Sequence, residues 1–312
     1  MSPLTKLLQT LMDGFAVGSV YALIALGYTM VYGVLKFINF AHSDIFVLGA
    51  WSSYAVAVAA GWGAASGAAP PAWAGLAVIL SAMAVCGTTG FVVERLAYRP
   101  LRGAPRLNVL LTAIGVSLFL QNAGQLRWIF GTQPQRMPAL LEDRVLARFS
   151  GVELRLVDSI GFGTAVLLML ALEWLIFRTK IGRGMRAVSH DTAVASLMGV
   201  PVDAVISFTF VLGSALAAAA GFLYAMKYQG LNQPAHATWV LLGLKAFVAA
   251  VLGGIGNVRG AMLGGFFIGL VELFGAAYLS PALRDVYVFS LLILVLLVRP
   301  TGLLGGAVAE KV

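Results

Sequence analysis

One cysteine, 3 histidines and 13 acidic residues are few reactive groups for a chain of 312 residues. The lone thiol, Cys86, can form no internal disulfide and argues against a thiolate-rich metal site. No H-E-x-x-H, no G-x-S-x-G and no Cys/His metal spacing occurs, so no catalytic constellation can be assembled from motifs. A phosphate-binding G-x-x-x-x-G-K-[ST] loop is also missing, so the chain cannot bind ATP by that route. Charge is the scarcest property: only 11% of residues are charged and 60% are hydrophobic, whereas a soluble domain has about a quarter charged. So few charges cannot cover so much apolar surface, and lipid must be part of the solvent. The formal charge of +8 does not point to nucleic acid, because the basic residues lie in short segments between apolar stretches.

What is present fits a bilayer. The mean hydropathy is +0.91, and the 36 glycines suit membrane helices whose backbones approach closely. Apolar stretches of roughly twenty residues, long enough to span, run near 8–34, 38–60, 73–94, 107–130, 159–177, 204–226, 238–256 and 260–279. A shorter run at 286–298 reads as a half-span or a tilted one. The first stretch follows Lys6 and is too long for a signal-peptide core, so it reads as a retained span. The expected fold is an all-α polytopic membrane protein of about 8–10 transmembrane or half-spanning helices. Loops set the orientation. Arg95, Arg99, Arg102 and Arg106 follow the third span, and Arg178, Lys180, Arg183 and Arg186 follow the fifth, which predicts that both loops are cytoplasmic. The charge-free loop at 61–72 and the balanced one at 131–158 then face outside. The C-terminus, with Arg299 and Lys311, faces inside, and by parity the N-terminus faces outside.

Sliding the chain against itself by 194 residues places Gly27, Ala41-His42 and Leu48-Gly49 on Gly221, Ala235-His236 and Leu242-Gly243. The matched spans run in opposite directions, as in the inverted repeats of transporters, whose solute path lies at the repeat interface. The approximate halves are 8–130 and 204–298. Both matched segments look like broken helices. Lys36, Asn39, His42, Ser43 and Asp44 interrupt the first, and Asn232, Gln233, Pro234 and His236 precede the second. Polar groups at such depth are tolerated where backbone lines a cavity or is buried in protein.

Residues 181–205, IGRGMRAVSHDTAVASLMGVPVDAV, carry the spacing G-x-x-x-R-A, a polar pair, then A-x-x-x-G before an apolar span. The chain is similar here to permeases of the high-affinity branched-chain amino acid family of ATP-binding-cassette importers. Two further stretches resemble the same family: 18–51, from GSVYALIALGYTMVYG to SDIFVLGAW, and AVLGGIGNVRGAMLGGFFIG at 250–269. The resemblance implies a single permease domain over 1–312 in the cell (inner) membrane, translocating branched-chain or related small amino acids. It also implies two ATP-binding subunits, a second homologous permease and a periplasmic or extracellular solute-binding protein as partners. No cofactor is then bound by this chain, and ATP is bound by the partner subunits. The ATPase contact falls on 181–202, with Arg186, His190, Asp191, Ala195, Ser196 and Gly199 as coupling candidates. His190 stands where the family pattern has Glu or Gln.

The substrate-path candidates are Asn39, His42, Ser43, Asp44, Gln121, Asn122, Gln233 and His236, because polar groups within a membrane are functional by default. His42 with Asp44 can equally cap a broken helix, and amides such as Gln121, Asn122 and Gln125 can equally glue helices. Lys245 either pairs with a carboxyl or snorkels, and Glu173 and Glu272 are carboxyls in or near spans. Trp51, Trp128, Trp239 and Tyr287 read as an interfacial belt. The Gly-rich stretch 253–260 reads as a tight turn between membrane segments. Other readings of the chain are a urea or short-amide permease of the same type, a self-sufficient secondary transporter or channel, and an intramembrane enzyme.

Overall fold

A computed structural model describes residues 2–63, 70–149 and 151–305. Lys311 and residues 64–69 of the charge-free loop lie outside the described residues. Eleven α-helices are formed among those described: α1 (Pro3–Leu35), α2 (His42–Ala59), α3 (Ala74–Val93), α4 (Arg106–Gly124), α5 (Leu156–Arg178), α6 (Lys180–His190), α7 (Thr192–Leu197), α8 (Val202–Tyr228), α9 (Ala237–Gly253), α10 (Val258–Tyr278) and α11 (Arg284–Val298). Seven are long and apolar enough to cross a membrane, and the shorter α2 and α9 complete the alternation between the two ends.

The expected spans are all present, with bounds corrected by a few residues. The largest correction is at 107–130, where α4 stops at Gly124 and Gln125–Phe130 forms turns, although LRWIF is apolar. The loop at 131–158 contains two strands, β2 (Val145–Phe149) and β3 (Val152–Arg155), paired antiparallel. Two-residue strands β1 (Gln135–Arg136) and β4 (Gly230–Leu231) pair as well. These pairs put the 131–158 loop and the α8–α9 connection at one end of the bundle. Lys227 to Asp158 and Tyr54 to Gln135 join α8 and α2 to it there. The opposite end gathers the Arg-rich segments after α3 and α5, and Arg99 and Arg102 meet Asp203 there.

Long helices α1 and α8 form the core. In the most apolar window of α1, 89% of residues are buried, against 11% for α11 at the periphery. α1 packs along α10, and α8 packs along both α3 and α2. The contacts are backbone to backbone. A Cβ on Gly265 of α10 would stand 2.3 Å from the Ala22 Cα, and one on Gly269 would stand 2.4 Å from the Gly18 Cα. A Cβ on Gly49 of α2 would likewise stand 2.4 Å from the Ala218 Cα of α8. Lipid tails are as apolar as leucine, so such close packing and polar bonds must hold membrane helices together.

Polar bonds are found where the chain can least leave them unmade. Lys245 of α9 pairs with Glu272 of α10 at 2.9 Å and with Asp285 of α11 at 2.7 Å. The Tyr21 hydroxyl of α1 donates to the second Glu272 oxygen at 2.7 Å. Lys245 therefore pairs rather than snorkels. Glu173 of α5 meets Arg259 of α10 at 2.6 Å. Glu94, fully buried in a π-helical turn (Glu94–Tyr98) that continues α3, pairs with Arg102 and accepts from the Ser207 hydroxyl at 2.6 Å.

The aromatic belt needs a correction. Trp51 is 0% and Trp239 2% exposed. Both indole N–H groups donate to the Asn232 carbonyl, at 3.1 and 3.2 Å. A buried indole needs an acceptor, and the bent α8–α9 connection offers one carbonyl to both rings. Trp128, at 79% exposure, keeps a peripheral position.

Two stability outcomes follow. Gly265→Leu should lower stability by about 3 kcal/mol through overpacking, while Gly163→Leu, where a Cβ meets open space, should change it little. Lys245→Met should cost about 3–5 kcal/mol by leaving Glu272 buried and unpaired, with partial recovery in Lys245→Met/Glu272→Gln. Thermal unfolding of the four variants in detergent reads both.

Candidate functional site

α1 ends with Lys36 in the left-handed conformation at φ 57°. This turns the chain back into the bundle. His42, the first residue of α2, lies against Gly27 of α1, where a Cβ would stand 2.1 Å from His42 Nε2. Gly27 is eight residues before the end of α1, so α2 starts roughly 12 Å inside that end at 1.5 Å per residue. α2 is thus a broken helix whose N-terminus lies within the protein, where backbone amides carry partial positive charge.

Four predicted path residues meet at this N-terminus. Asn39 Oδ1 accepts from the Ala41 N–H at 3.2 Å and from the Tyr98 hydroxyl at 2.6 Å, while its Nδ2 is buried without a partner. The His42 ring packs edge-on to Tyr28, centroids 4.7 Å apart. Ser43 donates to the Phe40 carbonyl at 3.0 Å and packs on Gly243 of α9. Asp44, in the first turn, suits the local dipole, and its Oδ1 accepts from Gln121 Nε2 of α4 at 2.9 Å. The same Gln121 amide bonds Ser117 at 3.2 Å. A cavity of about 190 Å3 opens beside Asp44 and Gln121, between α2, α4 and the α8–α9 connection, with Trp51, Phe130 and Pro234 in its wall.

The other three predicted path residues do not join this cluster. Asn122 is exposed and donates to its own helix at Leu118 O, 2.7 Å away. Through its carbonyl, Gln233 accepts from the Trp239 indole at 3.1 Å and from the His236 N–H at 3.0 Å. His236 is exposed and caps α9, its Nδ1 accepting from the Thr238 N–H at 3.2 Å. The two segments matched by the 194-residue shift therefore sit in different surroundings: the first histidine is 1% exposed, and the second lies on the surface.

Sequence reasoning missed Tyr98, Tyr28 and Ser117. Ser117 could have been found, because it lies four residues before Gln121 on the same helical face. Tyr98 could not, because it reaches Asn39 only through the π-helical turn. Such turns recur at functional sites.

The 181–202 segment folds as two short helices, not one. Asp191 breaks it by capping α7, its Oδ1 accepting from the N–H groups of Ala193 at 2.8 Å and Val194 at 3.0 Å. Arg186 is exposed and stacks 5.4 Å from the Phe177 ring centroid. His190 and Ser196 are exposed, while Ala195 is buried at 3% and anchors α7. Gly199 closes α7 at φ +79°, a conformation that a side chain rarely adopts. It is a backbone requirement, so a bulky residue there tests the turn as much as the surface. The tip is apolar: Leu197 is 87% and Met198 79% exposed. This tip shares its end of the bundle with the arginine clusters, and a groove of about 650 Å3 between α6 and the start of α8 lies beside it.

Comparison with known proteins places the chain in a family. The family model described as branched-chain amino acid transport system / permease component matches residues 10–298. The high-affinity branched-chain amino acid transport system permease protein BraD of Pseudomonas aeruginosa is 42% identical, over 98% of both chains. Permease protein LivH of the same kind of system is 41% identical in Escherichia coli K12 and 40% identical in Salmonella typhimurium, each over 98% of this chain and 97% of the relative. Matched from within α1 to the end of α11, and at such identity along nearly its whole length, this chain belongs to the permease-component family of branched-chain amino acid transport systems.

Proposed function

We propose that the chain is one membrane subunit of an ATP-driven importer that carries branched-chain or related small apolar amino acids into the cell. The observation that carries this reading is the near-full-length identity to permeases named for that cargo. In this reading a second, homologous permease completes the membrane unit, two ATP-binding subunits drive it, and a periplasmic or extracellular binding protein delivers solute. The membrane is the cell (inner) membrane. The Arg-rich end, with α6, α7 and the C-terminus, is cytoplasmic, since basic residues concentrate there.

The exposed Leu197–Met198 tip supports α6–α7 as the ATPase contact, because exposed apolar groups on a polar surface mark interaction sites. A push on α7 acts on the start of α8, where Asp203 binds Arg99 and Arg102. Arg102 reaches Glu94, and the same π-helical turn carries Tyr98, which holds Asn39 before α2. This line of contacts is our proposed route from ATPase closure to the broken helix. The inverted repeat is part of the same proposal. It is supported by reciprocal packing, in which α1 lies on α10 while α8 lies on α3, with α1 and α8, and α3 and α10, as the paired spans of the two halves.

The subunit assembly is tested by purification from the native membrane, which should recover ATP-binding subunits and a second permease; recovery of the chain alone would overturn it. Leu197→Asp/Met198→Asp should reduce ATPase recovery roughly tenfold, as loss of an apolar anchor does. Orientation is read in a Cys86→Ser background. Ser196→Cys should react with an impermeant maleimide only in inside-out vesicles, and Arg148→Cys only in right-side-out ones.

A further inference from the structure

Four carboxylate or ammonium side chains are buried among the described residues: Asp44, Glu94, Lys245 and Glu272. Three have a countercharge. Glu94 has Arg102, and Lys245 and Glu272 have each other. Asp44 has none. It is 5% exposed, one oxygen is held by Gln121, and Oδ2 accepts no hydrogen bond in ordinary geometry. The Ser117 hydroxyl, which accepts from Gln121, lies beside the carboxylate as a neutral hydrogen-bond partner and brings no charge. A buried charge without a partner is costly, and within a membrane it marks a functional position.

Asp44 lines the cavity of about 190 Å3, and no Lys, Arg or His joins it in the wall. Apart from Gln121 and Thr89, the rest of its wall is apolar and aromatic, with Val47, Leu48, Trp51, Leu120 and Phe130. The chain offers Asp44 the partial charge of the α2 N-terminus and no full countercharge in this wall, so the site suits a cationic ligand. A hard metal ion would need about six oxygen ligands, which Asp44, Gln121 and Thr89 do not supply. A primary ammonium brings three N–H donors and a full charge. The cavity lies below the roughly 300 Å3 at which drug-sized pockets begin. Its body must be small, apolar and compact.

We propose that Asp44 is the ammonium acceptor of a binding site within a single permease subunit, specific for a small alkylammonium with a branched apolar body. That chemistry is shared by an apolar amino acid and by a simple branched amine. The wall offers no cation for a carboxylate, so the amine end carries recognition. Only the amino-acid source rests on the importer reading.

The test uses the full-length permease in nanodiscs without binding protein, with radiolabelled 3-methylbutylamine as the probe. Saturable binding is expected, with no competition from 4-methylpentanoate, which has the same body and no amine. Competition by leucine identifies the amino-acid source, and its failure identifies a free amine. Asp44→Asn should weaken binding on the order of 30-fold or more, and Asp44→Glu should restore part of it. Leu48→Trp, which fills the cavity and leaves the carboxylate, should also abolish binding and carries the test if Asp44→Asn does not fold. Absence of saturable binding, equal binding by Asp44→Asn and wild type, or equal competition by 4-methylpentanoate would overturn the site. ATP-dependent leucine uptake by the assembled wild-type complex, measured in parallel, separates the two readings: uptake without amine binding defeats this site alone.

Discussion

Backbone-to-backbone approach of α1 and α8 to their neighbours is the constraint on which the rest of this structure depends. Between helices in lipid there is no hydrophobic drive of the kind found in water, so adhesion comes from packing and polar bonds. Ala22 and Gly18 of α1 admit Gly265 and Gly269 of α10, and Ala218 of α8 admits Gly49 of α2. That closeness lets Tyr21 reach Glu272 and brings His42 against Gly27. With α8 farther from α2, the broken-helix N-terminus would lose its wall.

The second organising feature is the distribution of buried charge. Glu94 and the Lys245–Glu272 pair are neutralised inside the protein and tie helices that are remote in sequence. Removing both members of such a pair can be nearly neutral, and removing one is costly, so these groups specify the arrangement more than they stabilise it. Asp44 differs because no full countercharge meets it among the described residues.

Much of the fold was legible in the sequence because hydropathy reports directly on the solvent. Length and apolarity located each span, and the basic loops after α3 and α5 fall at one end. Where an apolar stretch stops being helical was not legible: Leu126, Trp128, Ile129 and Phe130 read as a continuation of α4 and are turns. Strands β2 and β3 were missed because a short hairpin in a charged loop gives little hydropathy signal. Asn39, His42, Ser43, Asp44 and Gln121 were legible as polar interruptions and do converge. Asn122 was not separable from Gln121, since one helical step turns a side chain by about 100°. The role of His236 was hidden because Ala-His appears in both halves, yet whether a histidine caps or is buried depends on where the chain turns back. Trp51 and Trp239 were misplaced for a related reason. An indole beside a span end looks interfacial until the carbonyl that accepts its proton is known.

The position of α1 in the chain also bears on how the protein is made. α1 leaves the ribosome long before its main packing neighbour, α10. During most of translation its small-residue seam must therefore rest against lipid or insertion machinery. Gly14, Gly18 and Ala22 suit that wait, because a seam of small residues leaves no charge stranded and presents little to bind wrongly. The tyrosine hydroxyl at position 21 has its partner only once Glu272 arrives. Assembly thus ends, rather than begins, at the centre of the molecule, and a chain truncated before α10 would be left with an inserted but unclosed bundle.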